Sequence, residues 1–355
     1  MTTNSTTVIG AGIIGTLIAY EIATRAPHTQ VTVVDRDAVG CGASRRSAGL
    51  HLPRGGTERI RAMSRYSEDF YRKLVENLVS VPIYPLPDTS VVTSQDNETR
   101  TQEVYLPQAA MTRLAALPND DVRLPEGSSL WQINGSHHAD VYGVSATLAR
   151  ELRDRVRFRE GVRVTALETS GDDVHVDLST GDRLVSDRVV LAPGPWLSAP
   201  AWKDLLAPLG LRVKKIVALH IERVPTERDR AIVFHDEDAF LIPLLHRAHW
   251  LFCYTCQDWD VDPDDLHDGL SAGNLENALQ CLRSYSPRLA EDCTSGRVFC
   301  DAYSSTGEPQ VRSLAENGRI IFAGAANGSG YRLAPAIAAE AADLLGLPAD
   351  SRSLA

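Results

Sequence analysis

The residues with the clearest chemistry are three glycines near the start of the chain. Gly10, Gly12 and Gly15 form the run Gly10-Ala11-Gly12-Ile13-Ile14-Gly15. In that spacing the first glycine makes a tight turn, the second lets a pyrophosphate approach the backbone, and the third lets a helix lie close to a strand. The helix N-terminus then offers free N–H groups and partial positive charge to phosphates. Asp35 follows 20 residues after Gly15. There a carboxylate can take the hydroxyls of an adenosine ribose and would repel a 2′-phosphate. Together these residues imply dinucleotide binding.

Three more stretches extend that chemistry. Gly40-Cys41-Gly42-Ala43-Ser44-Arg45-Arg46-Ser47-Ala48-Gly49-Leu50 offers small residues and hydroxyls along which a long ligand can run. Val190-Leu191-Ala192-Pro193-Gly194-Pro195-Trp196 is a second place of close approach. Phe322 to Pro335 holds a glycine-rich loop, Gly324 to Gly330, that feeds an alanine-rich segment. A helix N-terminus there can stabilise negative charge on a redox ring.

Other signals carry less. Cys253-x-x-Cys256 has no second pair at zinc spacing. His137-His138, His246 and His249 read as loop or hairpin-tip residues, so no metal is expected. Asp258 to Asp268 is acid-rich but lacks the glycine of a calcium loop and reads as solvated.

The elements that must position these residues follow from periodicity. Residues 7–9 and 31–35 are short apolar runs of the kind buried in a parallel sheet. Between them Ile14, Leu17, Ile18 and Ile22 have helical spacing, which completes a βαβ unit. Strands are expected at 189–192 and 320–323, with helices near 64–78 and 332–346. Alternating segments at 90–94, 213–222, 239–244 and 249–255 predict an antiparallel sheet, and 163–168 with 173–178 a hairpin.

The 355 residues suit about two domains. Apolar residues at 43% and charged residues at 23% exclude a disordered chain. A net charge of −10 argues against a nucleic-acid partner. No apolar window reaches membrane-spanning length, no signal peptide is read, and six scattered cysteines suit reduced thiols, so a cytoplasmic protein is expected.

In their order along the chain, the GxGxxG run, the Gly42-to-Gly49 segment, the strand around Val164, the VVLAPGPW run and the GSGYRLAP run resemble the FAD-dependent amine and amino-acid oxidases of the D-amino-acid oxidase superfamily. Glycine oxidase and sarcosine oxidase are the nearest likenesses. The resemblance implies an α/β fold, a doubly wound FAD-binding domain interleaved with an antiparallel-sheet (α+β) substrate domain. The FAD-binding domain would be drawn from 1–50, 145–204 and 305–355, and the substrate domain from 51–144 and 205–304.

Carried over, the resemblance places the pyrophosphate on Gly10, Gly12, Ile13, Ile14 and Gly15, and the adenosine ribose on Asp35 with Arg36 beside it. Ser44, Ser47, Ala48, Gly49 and Leu50 would line pyrophosphate and flavin, with Arg45 and Arg46 at a phosphate or ring edge. Val164 would meet the adenine through its backbone. Ala192, Pro193, Gly194 and Trp196 would flank the adenosine half. Gly324, Gly328, Ser329, Gly330, Tyr331, Arg332 and Leu333 would face the flavin.

The implied reaction removes hydride from the carbon next to an amine, with flavin N5 as acceptor and no dedicated catalytic side chain. The imine hydrolyses, and O2 reoxidises the flavin to give hydrogen peroxide. Alternatives are a D-amino-acid dehydrogenase passing electrons to a quinone or carrier, an NAD-dependent dehydrogenase, and a non-catalytic flavin-binding protein. The family's carboxylate-binding Arg is missing from Cys300 to Pro309, where the Gly307–Pro309 turn remains. Arg332 falls where sarcosine oxidase has a carboxylate-holding Lys and takes that role here, with Tyr303, Arg54 and His51 as further substrate contacts. The shifted clamp points to an N-substituted glycine, its apolar part against Phe240, Leu241 and Phe252. Cys300 lies near the family's flavin-tethering position with a spacing off by one, so non-covalent FAD is expected.

Overall fold

The computed structural model describes residues 4–78, 80–314 and 317–349. The apolar Ser5–Ile9 strand lies inside a six-stranded sheet, between Gln30–Val34 and Arg188–Leu191. Val156–Arg159 and Ile320–Gly324 extend it in parallel, and Gln310–Ser313 closes one edge antiparallel. Such strands are apolar throughout because both faces are covered. On one face lie the helices Ile13–Arg25, Glu58–Asn77, Val141–Leu152 and Gly330–Leu344. The other face, where a second helical layer is the commonest solution, carries an antiparallel meander of Val164–Ser170, Asp173–Leu178 and Arg183–Ser186.

A second sheet has eight strands. Its order is Cys293–Tyr303, Arg212–Ile221, His249–Tyr254, Ala239–Leu244, Ile232–Phe234, Thr89–Ser94, Ser128–Ile133 and Thr112–Arg113. All pairs are antiparallel except Ile232–Phe234 with Thr89–Ser94. Side chains alternate across it. Val217, Leu219, Leu241 and Phe252 cluster with the helices Ala272–Tyr285 and Pro287–Glu291. Ile216, Ala218, Cys253 and Phe299 cluster instead with Ala48 and Leu50 of the glycine-rich segment. Among the described residues no helix is long and apolar enough to cross a membrane.

Candidate active site

The glycines earn their places sterically. Gly10 has φ +101°, and a Cβ there would stand 2.2 Å from the Ala192 carbonyl oxygen. A Cβ on Gly15 would stand 1.8 Å from the Gly10 carbonyl oxygen. The Ile13 N–H donates to Ser44 Oγ at 3.0 Å, which ties the helix start to the second glycine segment. The Asp35 carboxylate accepts from the Ala11 N–H at 2.6 Å and the Asp37 N–H at 2.8 Å. Burial pushes its pKa up, and those two hydrogen bonds oppose the shift.

Three cavities meet end to end. The first, about 190 Å3, is lined by Asp35, Arg36, Val164, Pro193 and Trp196 among others. The second, about 120 Å3, runs over Gly10 to Gly15, including Ile13 and Ile14, and past Ser44, Ala192, Gly194 and Gly324. These two share Gly10, Asp35 and Trp196. The third, about 140 Å3, lies between the glycine-rich loops and the eight-stranded sheet, and shares Ser47, Asp301, Gly328 and Tyr331 with the second. The trough therefore runs from the Asp35 end, past helix N-termini, to a chamber under the eight-stranded sheet.

The acid-rich segment is not merely solvated, because Asp264 reaches back into the first cavity. It takes both Arg36 Nη atoms at 2.7 and 3.1 Å and the Trp196 indole N–H at 2.7 Å. Arg36 also lies 4.9 Å from the centre of the Trp196 ring.

At the far end the 324–330 loop is held in an unusual shape. Ala325, Asn327 and Gly328 have φ of 52°, 51° and 74°. Asn327 stabilises it by accepting from the Ser304 N–H at 3.0 Å and donating to the Ala325 carbonyl at 3.0 Å. The Gly330–Leu344 helix starts there. Pro335 lies inside that helix and has no N–H for the Tyr331 carbonyl. The buried Tyr71 hydroxyl supplies it instead, donating to that carbonyl at 2.6 Å.

Arg332 lines the chamber, with Arg54 close by. It donates to the Arg54 carbonyl at 2.6 Å and to Ser329 Oγ at 2.9 Å. Among the described residues no carboxylate pairs with it. Burial first, then the charge of Arg54, push its pKa down to about 9, against a smaller opposing effect of Tyr105. Phe299, Asp301 and Tyr303 alternate along Cys293–Tyr303 and all face the chamber. Burial pushes the Asp301 carboxyl up to about 6 and the Tyr303 hydroxyl well above its usual range.

The chamber gathers Arg332, Arg54, Tyr303, Ser47, Ala48, Gly49, Leu50, Gly328, Ser329 and Tyr331. Gly330 lines the neighbouring cavity. Other expected contacts lie elsewhere. His51 is fully buried and lines none of the three cavities. It stacks on His137 at 4.6 Å because the two are paired across adjacent strands. Burial holds it neutral, far below the usual histidine range. Arg45 and Arg46 are exposed on a short helix, Arg45 over the Tyr142 ring at 5.9 Å. Leu333 belongs to the helix core. Leu241 and Phe252 point to the opposite face of the sheet from Phe240, so of the three only Phe240 reaches the chamber. Cys300 also faces away, into the core cluster that holds Leu178, Val213 and Trp202, and burial pushes its thiol up to about 12. Sequence reading missed Asp301 and Asp264. Strand alternation with Tyr303 would have flagged the first; nothing local flags the second.

A parallel sheet whose central turn is a glycine cradle, joined by one trough to a chamber under an antiparallel sheet, defines a dinucleotide-dependent oxidoreductase. Comparison with known proteins narrows this. The family model described as "FAD dependent oxidoreductase" (DAO) matches residues 5–344, and the chain belongs to that family. It is an FAD-dependent oxidoreductase, and its cofactor is FAD. A glycine oxidase of Bacillus licheniformis is 24% identical over 360 residues, covering 96% of this chain and 92% of that protein. A 4-methylaminobutanoate oxidase (formaldehyde-forming) of Paenarthrobacter nicotinovorans is 28% identical over 262 residues, 66% of this chain but only 29% of that longer protein. The crystal structure of glycine oxidase from Geobacillus kaustophilus shares the fold with a TM-score of 0.77 at 17% identity, covering 97% of this chain and 95% of that one.

Proposed function

We propose that the chain oxidises an amine bearing a carboxylate, with an N-substituted glycine favoured, and that O2 is its electron acceptor. The observation that carries this reading is the guanidinium of Arg332, mostly buried beside Arg54 and without an acidic partner among the described residues. A planar guanidinium so placed suits a bidentate carboxylate, and an arriving anion would relieve the desolvated charge. The Arg54 carbonyl and Ser329 Oγ fix the fork's orientation. Phe240, Phe299, Ile216 and Val233 supply an apolar wall for the rest of the substrate. The matched 4-methylaminobutanoate oxidase is named for a secondary amine with a carboxylate, which supports a carboxylate-bearing amine as substrate.

FAD, when bound, supplies the hydride acceptor. In this reading Gly10 to Gly15, Ser44 and the 324–330 loop hold it. The FAD unit is drawn from 1–50, 145–204 and 305–355, and the substrate unit from 51–144 and 205–304. The residues of the chamber orient the substrate and exclude water.

The test is an anaerobic screen for flavin bleaching. N-alkyl glycines are expected to bleach faster than glycine or D-alanine, and one peroxide should form per turnover under air. Arg332→Ala should stay yellow while its KM or Kd for the best substrate rises about 30- to 1000-fold, the usual cost of unpairing a buried charge. Unchanged KM in that variant, or fastest bleaching by free D-amino acids, would sink the reading.

A further inference from the structure

The chamber holds one charged group that carboxylate binding leaves unused. Asp301 is half-buried on Cys293–Tyr303, and lines both the chamber and the adjoining channel. Among the described residues nothing hydrogen-bonds to its carboxylate and no cation pairs with it; burial alone accounts for its raised pKa. The obvious internal partner is Lys214, directly across on the neighbouring strand. Its ammonium lies instead over the Trp259 ring at 4.7 Å and the Tyr303 ring at 5.8 Å. The other ionisable groups around the chamber are Arg54, Arg332, His235, Asp238, Cys253, Tyr303 and Tyr331. None of them neutralises Asp301. A largely desolvated carboxylate without a partner is costly, and it persists where a ligand completes it.

We propose that Asp301 is the seat of the substrate's amine nitrogen, binding it as an ammonium and taking its proton before hydride leaves the neighbouring carbon. The inference rests on the reading of the chamber as the substrate site. One N–H bond breaks and one O–H bond forms: ammonium plus carboxylate become neutral amine plus carboxylic acid. The nitrogen lone pair is thereby freed to form the C=N bond as two electrons and a proton leave together as hydride. Two arginines and one aspartate, each without an ion-pair partner among the described residues, then match the two charges of an amino-acid zwitterion. A carboxyl whose pKa burial raises to about 6 suits proton exchange close to neutral pH.

The test uses the FAD-loaded protein and two carboxylates of nearly equal shape, trimethylammonioacetate and its neutral carbon isostere 3,3-dimethylbutanoate. Neither can be oxidised to an imine, and both are titrated by the change in flavin absorbance. Asp301→Asn should weaken trimethylammonioacetate at least tenfold and leave 3,3-dimethylbutanoate within about twofold. Asp301→Glu, which keeps the charge, should restore part of the preference. In Asp301→Asn the pH profile of anaerobic flavin reduction should lose its limb near 6 and follow the pKa of the free amine. Equal weakening of both ligands would mean a structural role and overturn the proposal, as would an unchanged preference. If neither ligand binds the wild-type chamber, the proposal falls together with the carboxylate reading. If amines bleach the wild-type flavin and Asp301→Asn keeps its selectivity, the proposal fails alone.

Discussion

Single residues in this chamber trade stability for chemistry. Among the described residues Arg332 keeps its hydrogen bonds yet has no counter-charge, and Asp301 lacks both. For Asp301 the cost follows from linkage. Its folded pKa, about 6, lies above the ordinary carboxylate value of 3.8. Between those values the unfolded chain gives up the proton that the folded chain keeps. The stability associated with the neutral form is therefore complete below pH 4 and lost as pH rises through 6. At 1.36 kcal/mol per unit the loss is at most about 3 kcal/mol. Asp301→Asn, neutral at every pH, should unfold at nearly the wild-type denaturant midpoint at pH 4. By pH 8 it should be more stable than wild type by about 1–3 kcal/mol. A constant difference across that range would mean that the carboxylate is not buried and unpaired as the structure places it.

At the scale of elements, the Gly330–Leu344 helix is the one that carries the site, since its first turn holds Tyr331 and Arg332. Its weak point is the Tyr331 carbonyl, left without a helical donor by Pro335 and completed by Tyr71 from the Glu58–Asn77 helix. Tyr71→Phe keeps the ring and removes that donor. It should cost about 1–3 kcal/mol in urea unfolding, the penalty for orphaning a buried carbonyl, and should speed amide exchange in the first turns of the helix. An unchanged exchange pattern would show that the carbonyl finds another partner. Elements of this sort were only partly legible in the sequence. The parallel strands and the Ile13–Arg25 helix could be read because both are apolar in a fixed period and bracketed by the glycines. The helix expected from 64 begins at Glu58, because its first turn is charged and its start rests on the Thr57 cap, which accepts from the Ile60 N–H. The last helix begins at Gly330 rather than 332, since glycine gives no helical signal of its own. Asp301 stayed hidden because its meaning depends on a strand partner, Lys214, far away in the chain, that turns elsewhere. His51 misled for the converse reason: its closeness in sequence to Arg54 says nothing of the stacking on His137 that draws it into the core.

Across the whole molecule, the two main sheets are joined by a trough as much as by direct packing. The parallel sheet supplies the glycine turn and Asp35, the eight-stranded sheet supplies Phe299, Asp301 and Tyr303, and the shared lining of Ser47, Gly328 and Tyr331 lies between them. Direct hydrogen bonds also cross the seam, among them the Ser304 N–H to Asn327 Oδ1. Arg297 of Cys293–Tyr303 donates to the Arg46 carbonyl at 2.8 Å and to the Ser47 carbonyl at 3.4 Å. Asp264 holds Arg36 and Trp196 at the other end. A ligand filling all three cavities would therefore act as a strut, and its binding free energy would add to the folding free energy. With FAD at about 100 times its Kd that addition is about 2.7 kcal/mol. Stripping FAD should lower the thermal midpoint, and returning it should restore the midpoint in proportion to the logarithm of its concentration. On the proposed placement riboflavin would reach the chamber but not the Gly10 turn or Asp35, and should restore only part. Adenosine diphosphate, which fills only the other end, should likewise restore part, and the two added together should still fall short of FAD because the covalent link removes one association entropy. A midpoint indifferent to FAD would break the claim that the cavities hold one continuous ligand.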